Sequence, residues 1–377
     1  MIDRRFFLQA AVAAAATGFV GACQRRLIKP PDCDHYSGTP TLAVVDAHCH
    51  IFNGSDLQVA GFINQVKLGL PDRSIIGAIG DLIQGWAWRY APTAGEELDW
   101  LRKRQGPREI GPGVARASLG TPALGAMVQD MGADTDERFT AFWRELAQSK
   151  SAQALEFSDR LAAYRNVRLK NLSSLQGQQV LAQLQSIQGV AGFIEEEQRY
   201  GSGSIAIVSF LKTFFRFRTE NAWSMMWTYG CEATPGVDLL CPALVDFDLW
   251  LGDRNHDEGR TRSHIDAQLE VMRAISLATR GRVQAMAPFN PLRAACDGGD
   301  DVVAYVHDAV RKYGCIGFKL YPPMGFAATD NASQSYPVPS CPETQPNPVY
   351  GTQLDEVLGV FFGECSSLGV PVMAHAS

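Results

Sequence analysis

Between residues 236 and 377, apolar runs of strand length alternate strictly with helical stretches. "LLCPALVDFDLWL", "RVQAMAPFNPL", "CIGFKLYPP" and "VPVMAHAS" read as strands. "SHIDAQLEVMRAISLATRG", "DDVVAYVHDAVRKYG" and "GTQLDEVLGVFFGECSSLG" read as the helices between them. Each helix ends at a glycine (Gly281, Gly314 or Gly369) that can take the left-handed conformation closing a helix. Strands joined through helices pair in parallel. These strands are apolar nearly throughout, as a sheet covered by helices requires. Polar residues gather where the strands end, at Asp246, Asp248, Asn290, Lys319, Tyr321 and His375. In a (β/α) barrel, strand ends form the rim that carries the chemistry.

A further strand is expected far upstream, at "TLAVVDAHCHIF", read as apolar and buried. Side chains alternate faces along a strand, so Asp46, His48 and His50 share one face and Cys49 takes the other. Two imidazoles about 7 Å apart along a strand can converge on one ion at its C-terminal end. Imidazole is a natural neutral ligand for zinc and related divalent metals. The competing reading of such a pair is two structural histidines.

Residues from about 56 to 235 separate that strand from the alternating region, far more than an ordinary strand-to-helix loop. "RSIIGAIGDLIQGWAWRYA", "DERFTAFWRELAQS", "SDRLAAYRNVRLKNLSSLQGQQVLAQLQSIQ" and "SIAIVSFLKTFFRFRTENAWSMMW" carry apolar residues at helical spacing. Trp86, Trp88, Trp143, Phe214 and Phe215 read as packing. The segment is expected to form a helical cap rising from the rim. The polar, Pro-rich stretch from Pro322 to Tyr350 leaves the same rim and reads as a lid or surface flap.

The first 23 residues have a basic start, an Ala-rich apolar stretch and a small-residue end, which is an export-signal pattern. Arg4-Arg5 followed by Phe7-Leu8 resembles a twin-arginine signal. "VGAC" resembles a bacterial lipobox, which makes Cys23 the lipidated first residue of the mature chain. Residues 24–41 are polar and Pro-rich and read as a tether. The expected location is therefore the periplasm or cell envelope, with a lipid anchor in the membrane. A formal charge of −6 and the lack of a basic stripe give no reason to expect a nucleic-acid partner. The eight cysteines beyond Cys23 form no CxxC pair, which removes zinc-ribbon readings. Cys231 and Cys241 bracket a Pro-Gly turn and are the pair best placed for a disulfide. Cys49, Cys315 and Cys365 read as small buried side chains.

"VVDAHCHIF", "GFKLYPP" and "VPVMAHAS" together resemble strands one, four and five of the amidohydrolase superfamily. Within it the chain is similar to the branch containing aminocarboxymuconate-semialdehyde decarboxylase and other metal-dependent hydrolases. The resemblance covers residues 42–55 and 236–377. It implies a (β/α)8 TIM-type barrel, with residues 56–235 as an insertion after strand one. It also implies His48, His50 and His375 as metal ligands, zinc as the first candidate ion with manganese or iron as alternatives, and one ion rather than two. Lys319 occupies the place of a strand-four lysine, either an unmodified rim residue or a carbamate bridge. Tyr321 beside it is placed to bind substrate, and Asp46 and Lys319 are the catalytic candidates within the chain.

The family's histidine after strand six and aspartate after strand eight have no counterpart, so the barrel is expected to be truncated after its fifth strand and the chain to be the front of a longer product. The implied reaction is attack of metal-activated water on an amide, ester or lactone bond of a small molecule. Non-oxidative decarboxylation on the same ligands is the alternative, and a non-catalytic lipoprotein the third reading.

Overall fold

The computed structural model describes residues 44–58, 84–105, 121–148, 212–227, 236–251, 263–296, 301–337 and 348–375. Arg4, Arg5, Cys23 and the tether lie outside these residues, as do the whole of the third helical stretch and Cys231. Among the described residues no helix is long and apolar enough to cross a membrane.

The chain is α/β. Five parallel strands follow one another: β1 Val45–Cys49, β2 Leu239–Pro242, β3 Met286–Phe289, β4 Gly317–Leu320 and β5 Val372–Ala374. β1 pairs with β2, and β3, β4 and β5 pair in that order. The two groups meet through the parallel bridges Leu240–Val283 and Ala243–Met286. Leu240 N donates to Arg282 O at 2.8 Å, and Leu244 N to Met286 O at 3.0 Å. Spatial order therefore follows chain order.

Helices stand where the apolar spacing puts them in the alternating region and in part of the insertion, and three more were not anticipated, at Ala94–Gln105, Asp248–Leu251 and Pro291–Cys296. In chain order the helices are α1 Ala94–Gln105, α2 Thr121–Gln148, α3 Arg218–Met226, α4 Asp248–Leu251, α5 Ile265–Ala278, α6 Pro291–Cys296, α7 Val302–Arg311 and α8 Gly351–Leu368. The glycine stops are as expected: Gly281, Gly314 and Gly369 all have positive φ. α8 carries Phe361 into the sheet, stacked on Phe289 at 3.8 Å and edge-on to Phe318 at 5.3 Å. Such an aromatic is worth about 3–5 kcal/mol against alanine. One apolar cluster runs from Leu98, Met131, Phe217 and Ala222 of the insertion through Leu240 and Ile275 to Phe318 and Phe361. The described helices of the insertion thus share the core of the strands.

Four local expectations need correction. β1 is largely exposed rather than buried: Val44 and Val45 keep 46% and 50% of their surface. The reason is cover, since β2, β3 and β4 lie between neighbours while β1 pairs on one side among the described residues. The strand read through "DLWL" stops early, because Asp248–Leu251 turns helical at the strand end. The long helix read through residues 204–227 is broken at 214–217, where Phe217 is extended and caps α3. Cys241 is a free, buried thiol.

The described part of the flap is pinned. Ser335–Pro337 pairs antiparallel with Pro348–Tyr350, and Asn331, fully buried, donates through Nδ2 to Asp355 Oδ1 at 2.9 Å on α8.

Candidate functional site

β1 leads into the two imidazoles, and its pairing with β2 is irregular between Asp46 and Cys49, across His48. Their ring centres are 5.2 Å apart at 69°. Downstream, the chain enters a short 3-10 turn, Gly54–Asp56, capped by Asn53. His50 Nδ1 lies 2.8 Å from Ala243 O. A carbonyl can only accept, so Nδ1 carries the proton and Nε2 is left as a bare lone pair. This is the outer-shell arrangement that orients metal-ligating histidines.

β5 brings His375 to the same place. Its backbone N donates to Leu320 O at 3.0 Å, which ties it to the end of β4. The centre of its ring is 6.5 Å from that of His48. In a flat sheet, strands one and five would be separated by four spacings, roughly 19 Å. The strands must therefore curl strongly, so that the first and fifth face each other.

Lys319 completes the group. It is buried like the rest of β4, only 2% exposed, and its Nζ lies 3.2 Å from His48 Nε2. Tyr321 lies against His375 with ring centres 4.6 Å apart and planes tilted by 33°, backed by Phe247 at 4.9 Å and Trp250 at 5.9 Å. Asp46 lies one step deeper on β1, and its carboxylate accepts from the His48 amide at 3.1 Å.

The electrostatics favour neutral rings. Burial pushes His50 down to about 4. His48 is lowered by partial burial and then by the Lys319 charge, with Asp46 opposing. His375 is lowered by burial, then by Lys319 and His48. Burial likewise lowers the Lys319 amine and raises the Tyr321 phenol. Neutral imidazole is the form that binds metal.

The donor chemistry thus fits a divalent ion, and the geometry fits in part. Two imidazoles bound to one tetrahedral ion through bonds of about 2.0–2.1 Å stand with ring centres about 5 Å apart. The spacing of His48 and His50 meets that, while His375 stands more than an ångström further off. Among the described residues no three His, Cys, Asp or Glu side chains form a ready-made cluster.

Two features escaped the sequence reading. On the rim, Arg293 grips Asp246 with both arms, at 2.8 Å each, and reaches Asp248 at 3.5 Å. The two aspartates that look like free rim carboxylates are therefore held by an arginine.

The second feature is a buried ion cluster around the turn that follows β1. Arg218, at the start of α3, is wholly buried against Asp56 and Glu97. A partial signal was present, since Thr93 and Glu96 form a capping box that opens α1 and so places Glu97.

No family model matches the chain, and no curated protein or solved structure matches it.

Proposed function

We propose that this protein is a metal-dependent hydrolase acting at the end of a closing (β/α) barrel of TIM type. The observation supporting this reading most is the convergence of His48, His50 and His375 from the first and fifth strands, with neutral rings and Lys319 among them. His48, His50 and His375 would hold a single divalent ion, zinc first, with manganese or iron as alternatives. When bound, such an ion supplies Lewis acidity to a substrate carbonyl and lowers the pKa of coordinated water toward about 7.

The chain's own residues do the rest. Ala243 O keeps His50 in the tautomer that presents Nε2. Lys319 offers an ammonium at the site for an anionic or developing negative group. Tyr321, lying against His375, orients that ring and offers its hydroxyl to substrate. Asp46 braces β1 by accepting from the His48 amide. Phe247 and Trp250 give the site an apolar wall beside Tyr321. A small molecule with an amide, ester or lactone bond suits this set. Non-oxidative decarboxylation would use the same groups and stands as the second reading. The reading extends to an exported, lipid-anchored protein through Arg4-Arg5 and Cys23.

Metal analysis tests this. Wild type should hold close to one equivalent of zinc, manganese or iron. His48→Ala, His50→Ala and His375→Ala should each lose most of it, since each removes a proposed ligand and loss of even a ligand's hydrogen-bond partner typically weakens binding tenfold or more. Near-stoichiometric metal in all three variants would show the histidines to be structural.

A further inference from the structure

Around the turn that follows β1 lies a buried cluster of three charges. Arg218 Nε donates to Asp56 Oδ2 at 2.7 Å, and Nη2 donates to Asp56 Oδ1. Nη1 donates to Glu97 Oε2 at 2.9 Å. Nη2 also reaches Ser55 Oγ at 3.1 Å and Ser263 Oγ at 3.2 Å. Glu97 in turn accepts from the first backbone amides of α3, Arg218 N at 3.0 Å and Thr219 N at 2.7 Å. Four segments meet here: the turn after β1, the start of α1, the start of α3 and the entry to α5.

Burying such a cluster is costly, and apolar side chains of similar volume often serve stability as well or better. Its geometry suggests another use. Asp56 and Asn53 belong to the turn that starts three residues after His50, and polar groups of that turn are tied to neighbouring segments. Asn53 N donates to Asp56 Oδ2 at 3.2 Å, and Asn53 Nδ2 to Pro92 O at 2.7 Å. Gly54 N donates to Phe214 O at 2.8 Å. Asn221 Nδ2 donates to Phe52 O at 3.1 Å, on the residue between turn and imidazole. Upstream, His50 is held by Ala243 O. The backbone carrying the histidine pair is thus fixed on one side by β2 and on the other by helices of the insertion.

We infer that Arg218, with Asp56 and Glu97, is a positioning group that sets the approach of His48 and His50, making the insertion part of the site rather than a cover laid over it. This rests on the metal reading above only for its affinity readout. Arg218 touches neither ring, so its effect passes through the turn at 53–56.

The test uses the full chain and three variants: Glu97→Gln, Arg218→Lys, and the neutral triple Asp56→Asn/Glu97→Gln/Arg218→Met. Zinc affinity is measured by competition with a chromophoric chelator, melting by circular dichroism, and the apo imidazoles by NMR with labelled histidine. The triple variant should still melt cooperatively, bind zinc about tenfold more weakly, in the range seen for outer-shell partners, and show more than one set of His48 and His50 signals. Arg218→Lys, which keeps the charge but not the fork, should also weaken zinc binding and split the signals. If the triple variant fails to fold, Glu97→Gln, close in shape, carries the decision with an expected loss of threefold or more. Folded variants with zinc affinity within twofold of wild type and unchanged imidazole signals overturn the inference. If wild type itself binds no zinc, the metal reading fails. The inference then stands on the apo signals: splitting in the variants supports it, and a single unchanged set sinks it.

Discussion

At the residue scale, the geometry of individual positions decides what can be substituted. Gly351 opens α8 against the flap, and a Cβ there would stand 1.5 Å from Asn331 O and 2.2 Å from its carbonyl carbon. Backbone cannot yield as a side chain tip can. Gly351→Ala should therefore lose about 3 kcal/mol, the upper part of the range for overpacking, in urea unfolding followed by fluorescence. An unchanged midpoint would mean that flap and helix do not meet so closely in solution. Glycine stops of helices were legible because left-handed closure is a local property of one residue. Gly351 was not, because its constraint comes from Asn331, a neighbour brought in by the fold. The histidine pair was legible for the first reason, since two imidazoles one residue apart at a strand end are a local feature of the chain. That Arg293 would occupy Asp246, or that Lys319 would lie against His48, depends on contacts across strands.

At the scale of elements, helix and strand order after residue 236 could be read from periodicity, and β1 could be placed though not its exposure. The insertion was read as helical, yet α1 was passed over because its apolar pattern is sparse, with Leu98 and Leu101 as its buried anchors. The packing of α2 on α3 carries a titration. Glu220 accepts from Thr135 Oγ1 at 2.5 Å and from Phe217 N at 2.9 Å. Burial raises its carboxyl from the usual 4.5 to about 7. The folded state therefore holds a proton that the unfolded chain gives up earlier. Stability from this group is fully present below about pH 4.5 and is lost as pH rises through about 7. Glu220→Gln should flatten that part of the stability–pH curve, measured by urea midpoints from pH 4.5 to 7.5. Parallel curves for variant and wild type would rule out Glu220 as the source.

At the scale of the whole molecule, the export reading has its own test. Arg4→Lys with Arg5→Lys should leave the protein in the cytoplasm, and Cys23→Ser should abolish labelling by a radioactive fatty acid. Normal membrane-anchored protein from both would remove the lipoprotein reading. The curl of the strands has a kinetic meaning. Val44 and Asp238, which tie β1 to β2, are 194 residues apart in sequence, and Lys319 is 271 from His48. Contacts of such separation form slowly, because long loops must close before anything rewards them. The imidazole cluster should then be among the last features to assemble during refolding. Tryptophan fluorescence would recover first and competence to capture zinc later, in a stopped-flow experiment with a metal indicator. Simultaneous recovery would mean that β1 finds its partners early, ahead of the helices between them. On the metal reading, a chain that assembles in this order would have no ion site to offer while it is still incomplete, and the ion it took would be set by the compartment in which folding finishes.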